Sequence, residues 1–140
     1  MKTVVVASGY FDPLHCGHIE YLEKAKLLGD VLVVIVNNDK QAVLKKGRPF
    51  MPAAERVKVV RALRCVDFAL ESMDSDRSVR ETLRLLHPQI FANGGDQTNA
   101  GIPEAEVCNE LGIGLVDNLG LKIQSSSWLL KKSVEESSNP

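Results

Sequence analysis

Two histidines, His15 and His18, stand three residues apart around Gly17 in the stretch Ser8-Gly9-Tyr10-Phe11-Asp12-Pro13-Leu14-His15-Cys16-Gly17-His18. Three residues is close to one helical turn, so at a helix start both imidazoles point the same way. There they can donate hydrogen bonds to phosphate oxygens and match the charge that grows during phosphoryl-type transfer. A helix start adds free N–H groups and the positive dipole end. Gly9 allows a strained turn, and Gly17 leaves room for a ligand to approach. Lys45-Lys46-Gly47-Arg48-Pro49 is the one concentrated basic patch, and cations in that position suit a triphosphate. Asn93-Gly94-Gly95-Asp96 is a glycine turn ending in an acid, and Ser125, Ser126 and Ser127 put three hydroxyls ahead of Trp128.

Each feature has a plainer counterpart. Cys16 at a helix N-terminus would have a lowered pKa and could act as a nucleophile. His15, Cys16 and His18 could meet a zinc ion, but no fourth ligand stands at a recognisable spacing. Gly9 is not a dinucleotide fingerprint, because the second and third glycines of G-x-G-x-x-G are absent. The basic patch could be a solvated loop, the Gly94-Gly95 pair an ordinary turn and the serines a helix cap. Trp128 reads as core or groove wall.

The positions of these residues depend on the elements around them. Residues 4–7 and 31–36 are continuous β-branched runs, the pattern of strands buried on both faces of a parallel sheet. Between them Ile19, Leu22, Ala25 and Leu28 mark one side of a helix ending at Gly29. Residues 37–52 read as a loop, and 53–63 as a helix with Val57, Val60 and Leu63 on one face and Pro52 at its start. A strand is expected over 66–70, an acidic loop over 71–76, and a helix over 77–86 with Val79, Leu83 and Leu86 inward. A strand follows at 89–92, a helix at 103–111 closed by Gly112, a short strand at 114–116 and a last helix at 126–133. The alternation predicts an α/β fold: five parallel strands in the order 3-2-1-4-5 with right-handed crossovers and helices on both faces. Ligands bind such sheets outside the carboxyl ends of the strands. The loops after strands are where every unusual residue falls.

The chain has 140 residues, 44% hydrophobic and 25% charged, which fits one globular domain over residues 1–134 and a polar, frayed tail over 135–140. A net charge of −1 argues against an extended polyanion such as nucleic acid as partner. No apolar run approaches the ~20 residues of a membrane-spanning helix. The start lacks a signal-peptide pattern. Three cysteines without a CxxC pair suit a reducing cytoplasm.

The segment Gly9 to His18 resembles the G-x-F-D-x-x-H-x-G-H signature of the cytidylyltransferase-like nucleotidyltransferases. That superfamily includes glycerol-3-phosphate cytidylyltransferase, the choline- and ethanolamine-phosphate cytidylyltransferases and heptose-1-phosphate adenylyltransferase. Members join a nucleoside monophosphate to a small phosphate ester and release pyrophosphate on a Rossmann-like fold. The resemblance covers the chain from Val4 to about Lys132 through four elements in order. It implies that His15 and His18 hold the triphosphate and stabilise the transition state. It implies that Lys46, with Lys45 in reserve, neutralises phosphate charge, and that Arg56 either orients a phosphate or makes a local pair. By the same resemblance Gly9, Tyr10, Phe11, Gly17, Asn93, Gly94, Gly95 and Asp96 line the nucleotide, and Ser125, Ser126 and Ser127 hold its outer phosphates. Asp12, Lys122, Gln97 and Asn99 are candidate acceptor contacts. Mg²⁺ is expected with the nucleotide, with no protein-only metal site. Pairing into a homodimer through residues 53–63 and 66–70 is also expected.

Cytidylyltransferases carry R-T-x-G where this chain has Gly120-Leu121-Lys122-Ile123, which tilts the reading from CTP towards ATP. With few aromatics and no cage for a quaternary ammonium, a sugar or polyol phosphate is the expected acceptor. Two rivals stand beside this reading: a non-catalytic nucleotide-binding module of the same fold, and a flavodoxin-like domain. Asp12 is the only acid near the first strand, which disfavours the second.

Overall fold

Runs of β-branched residues, with no polar break, set the centre of the molecule. The structure, a computed structural model, describes residues 2–94 and 102–117. Strands β1 (Val4–Gly9), β2 (Val31–Val36), β3 (Phe68–Glu71), β4 (Ile90–Ala92) and β5 (Gly114–Val116) form one sheet in the order 3-2-1-4-5. Every neighbouring pair is parallel, with Val4 opposite Val31 and Val5 opposite Ile90. This is the α/β, doubly wound architecture that the alternating pattern predicts.

Side chains alternate across the sheet. Val5, Ala7, Val34 and Val36 face one core, packed by Leu22 and Ala25 of α1 (Cys16–Lys26) and Val57 and Val60 of α3 (Ala53–Arg61). Val6, Ile35 and Phe91 face the other, packed by Leu83 of α4 (Arg80–Leu86) and Cys108 of α5 (Glu104–Leu111). Strand order reverses at β1, so the carboxyl ends of β1 and β4 diverge at one edge and leave a crevice.

Four details differ from expectation. Residues 39–46 form a helix, α2 (Asp39–Lys46), inside the segment read as a loop. The Asn38 side chain accepts from the Gln41 amide at 2.9 Å, and Gln41 Oε1 accepts from the Asn38 amide at 2.9 Å. That reciprocal cap starts a helix whose buried residues are only Gln41 and Ala42, too few to show a period. Strand β3 starts at Phe68 rather than Val66, because Asp67 turns its carboxylate to Lys26 and the Leu32 amide. Helix α4 starts at Arg80 rather than Arg77, since Ser78 Oγ and N both donate to Asp76 Oδ1 and hold that segment in a turn. The acidic loop is also partly internal: Asp74 is buried and accepts from Glu81 N, Thr82 N and Thr82 Oγ1. The expected helix over 126–133 and the tail over 135–140 lie outside the described residues.

Candidate active site

The loop after β1 is built around Phe11. Its backbone has a φ of 49°, a left-handed conformation that costs a non-glycine residue energy and persists only where packing fixes it. Its ring is buried beneath Gly9, where an added Cβ would lie 2.8 Å from Phe11 Cζ. The strained residue is thus Phe11, and Gly9 supplies the space rather than the turn. Phe11 meets the His18 ring edge to face, with centroids 5.0 Å apart.

His15 and His18 stack with centroids 3.7 Å apart and an interplanar angle of 25°. The pair also caps α1. His15 Nδ1 accepts from the Gly17 amide at 3.1 Å, and His18 Nδ1 accepts from the His15 amide at 3.2 Å. A ring that accepts at Nδ1 carries its proton on Nε2 when neutral. Both rings line the crevice, and in the neutral form each keeps its Nε2–H as its ring donor. Two of the amides expected to be free for a ligand are therefore satisfied by the histidines, which relay donor character to Nε2.

The crevice has a volume of about 510 Å³ and runs from residues 8–12 past the two histidines to Asn93 and Gly94. Tyr21 crosses its floor from α1. The Tyr21 hydroxyl accepts from Ser8 N at 3.1 Å and donates to Ala92 O at 2.6 Å, tying the ends of β1 and β4 together. Burial pushes that phenol far above its usual pKa. At Gly94 an added Cβ would meet the Tyr21 ring at 2.7 Å, so only glycine fits.

The basic patch divides. Lys46 Nζ lies 2.6 Å from Asp12 Oδ2 and donates to Asp12 O at 3.0 Å. Asp12 also accepts from the amides of Phe50 and Met51, and its side chain is 1% exposed. Burial alone would raise this carboxyl's pKa, but the Lys46 ammonium and the two amides together hold it below the usual value. Lys45 makes no ion pair among the described residues; its ammonium sits 4.3 Å above the Tyr10 ring and lines the crevice. Desolvation and the neighbouring Arg77 and Lys46 lower its pKa. Arg48 does not line the crevice.

Two expected acceptor contacts are used for the scaffold instead. Arg56 has no exposed surface and donates to Met51 O, Tyr10 O, Asn37 O and Asp39 Oδ1 at 2.7–2.9 Å. It clamps the loops after β1 and β2 and cannot reach a phosphate. The Asp12 carboxylate is likewise filled by Lys46 and two amides. Gly95, Asp96, Lys122, Ser125, Ser126 and Ser127, with Gln97 and Asn99, lie outside the described residues. The structure adds residues that the local sequence pattern did not mark: Tyr21 as the tie between strands, and Arg77 and Arg80 beside Tyr10. Tyr21 fell between the apolar positions counted on its helix, and the two arginines looked like ordinary helix-surface charges.

A glycine-walled crevice at the switch point, floored by two strand ends and edged by paired imidazoles and lysines, has the kind of donors and charge that a compact polyphosphate needs. The cytidylyltransferase-like family matches residues 6–135, and the chain belongs to that family of nucleotidyltransferases. It is 44% identical over 135 residues to the bifunctional protein HldE of Streptomyces coelicolor, an alignment covering 95% of this chain and 29% of that protein. It is 41% identical over 113 residues to the bifunctional protein HldE of Geotalea uraniireducens, covering 79% of this chain and 23% of that one. The chain thus spans less than a third of these relatives' length. The crystal structure of the lipopolysaccharide core biosynthesis protein from Thermoplasma volcanium superposes with a TM-score of 0.70 at 34% identity, covering 84% of this chain and 94% of that one. Among the described residues no helix is long and apolar enough to cross a membrane.

Proposed function

We propose that this chain transfers an adenylyl group from ATP to the phosphate of a sugar or polyol phosphate, releasing pyrophosphate. The observation that carries this reading is the pair of Nε2–H donors on His15 and His18, fixed by their reciprocal capping bonds at the crevice. The acceptor phosphate oxygen attacks the α-phosphorus, a P–O bond forms, and the bond to the β-phosphate oxygen breaks as pyrophosphate leaves. The acceptor phosphate is already a nucleophile, so no covalent enzyme intermediate is required. Negative charge shifts to the leaving pyrophosphate, where preorganised N–H donors and a lysine stabilise it. Lys45, which makes no ion pair among the described residues and lines the crevice, suits that role as it stands; Lys46 would first have to leave Asp12.

Support for ATP over CTP comes from the resemblance of Asn93-Gly94-Gly95-Asp96 to the K-G-G-D of adenylyltransferases and from the missing arginine before Ser125. Support for a sugar phosphate comes from the likeness to a lipopolysaccharide core biosynthesis protein. Among the described residues the crevice's side chains are neutral or cationic apart from Asp12, whose carboxylate is filled, so Mg²⁺ fits as the triphosphate's own counter-ion. It would supply charge neutralisation there. Pairing of two copies through α3 and β3 belongs to the same proposal, supported by Phe68, 63% exposed on the outermost strand.

The test is pyrophosphate release with Mg·ATP and Mg·CTP against sugar 1-phosphates, glycerol 3-phosphate and choline phosphate. Release with ATP and a sugar or polyol phosphate, with a nucleoside diphosphate ester seen by phosphorus NMR, is the expected result. ATP binding by calorimetry without release from any pair would instead identify a non-catalytic nucleotide module.

A further inference from the structure

Beside the crevice lies a second cavity of about 680 Å³, which shares Tyr10, Lys45 and Asn93 with the first. Its other wall comes from the loop after β3 and the start of α4, through Arg77, Ser78 and Arg80. The charges there do not balance. Arg80 is matched by Asp76, with Nη2 to Oδ2 at 2.8 Å, and its Nε donates to Ser78 Oγ at 3.1 Å. Glu104 is the other carboxylate on the wall; its Oε2 accepts from the Val79 amide at 2.9 Å, a bond that does not cancel its charge, so among the described residues Lys45, Arg77 and Arg80 face only Asp76 and Glu104. Arg77 and Lys45 make no ion pair among the described residues. Between them the Tyr10 hydroxyl is buried; the Arg77 side chain faces it, but no hydrogen bond of normal length and angle reaches it among the described residues.

Lys45 and the Tyr10 hydroxyl are partly desolvated here without full compensation, which is costly in the absence of a ligand, and the exposed Arg77 adds a second positive charge beside them. Burial raises the Tyr10 phenol's pKa, with Arg77 opposing part of the rise. The phenol thus stays a neutral donor. One ligand chemistry resolves all three groups: an anion with several acceptor oxygens, held by a guanidinium, an ammonium and a phenol O–H.

We infer that this second cavity is the acceptor subsite, and that Arg77, Lys45 and the Tyr10 hydroxyl hold the acceptor's own phosphate. The assignment rests on the proposed nucleotidyl transfer for the word acceptor, while the anion site stands on its geometry. Lys45 then borders both phosphates, and Arg77 selects a phosphorylated acceptor over its unphosphorylated alcohol. Arg80 is a positioning residue, braced by Asp76 and Ser78.

The test uses the full chain saturated with a non-hydrolysable ATP analogue and titrated with inorganic phosphate by calorimetry. The parent protein should bind one phosphate. Arg77→Ala should weaken that binding by about tenfold or more, and Arg77→Lys should recover part of it. Tyr10→Phe should weaken it several-fold without lowering the unfolding midpoint, since no hydrogen bond of normal geometry among the described residues is lost. Analogue affinity should be unchanged in Arg77→Ala. Phosphate binding that is absent in the parent, or unaltered by Arg77→Ala, overturns the assignment. So does an equal loss of analogue and phosphate, which would mean a diffuse field rather than a site. Where turnover exists, Arg77→Ala should raise the acceptor KM and leave the ATP KM alone. Turnover with an unaltered acceptor KM sinks the subsite and spares the proposed function. Phosphate binding without any turnover does the reverse.

Discussion

At His15 a single ring both caps a helix and faces the crevice, and two substitutions can separate these roles. Asparagine is a good N-cap and can accept from the Gly17 amide as His15 Nδ1 does. It offers no donor at the position of Nε2. His15→Asn should therefore keep the thermal midpoint near that of the parent while turnover falls on the order of 10²- to 10³-fold. His15→Ala should lose the same activity and, in addition, about 1 kcal/mol of stability. Urea unfolding paired with pyrophosphate release reads both, and equal activity in the parent and His15→Asn would remove the donor role. The histidine pair was visible in the sequence because the chemistry and the spacing are local. The roles of Asp12 and Lys46 were not, since the ion pair joins residues 34 positions apart and only the fold brings them together.

At the scale of elements, Arg56 links α3 to the loops after β1 and β2. Replacing it with Leu removes a buried cation and leaves three carbonyls, of Met51, Tyr10 and Asn37, without these donors. Leaving buried acceptors unsatisfied costs about 1–3 kcal/mol each, so Arg56→Leu should lower the urea midpoint sharply. Lys45→Ala, by contrast, should leave stability close to that of the parent and reduce turnover. If Arg56→Leu unfolds like the parent, its guanidinium is not the clamp described. Most elements were readable because glycine, proline and unbroken β-branched runs mark their limits. Helix α2 escaped because it buries only Gln41 and Ala42, so no apolar stripe distinguishes it from a polar loop. Its Asn38–Gln41 cap was the one available signal. Arg56 read as a phosphate ligand for a related reason: burial depends on neighbours, and a charged residue on an amphipathic helix is ordinarily at the surface.

Across the whole molecule, three aspartates hold separate parts of the chain together in ionised form. Asp12 joins the loops after β1 and α2, Asp67 joins α1 to the starts of β2 and β3, and Asp76 closes the turn before α4. The Lys26 ammonium and the Leu32 amide hold Asp67 below its usual pKa. The Ser78 hydroxyl, the Arg80 guanidinium and the Ser78 amide bring Asp76 down to about 2. Depressed carboxylate pKa values stabilise the fold above the ordinary carboxylate range, and that stabilisation is lost as pH falls through the folded-state values. The urea midpoint should therefore stay level near neutrality and decline between about pH 4 and pH 2. Asp76→Asn should flatten the lower end of that decline. An unchanged slope in that variant would place the acid sensitivity elsewhere.

Tyr21 has a consequence for molecules other than the natural ligands. Its hydroxyl spans the last carbonyl of β4 and the backbone of Ser8, and its ring leaves no room above Gly94. One phenol thus works as a gauge block, setting the aperture between the two strands that floor the crevice. An inhibitor shaped to the crevice would be matched to a dimension held by that side chain. Resistance or altered base preference could therefore arise at position 21 through a change in aperture, with every histidine and lysine of the site left in place.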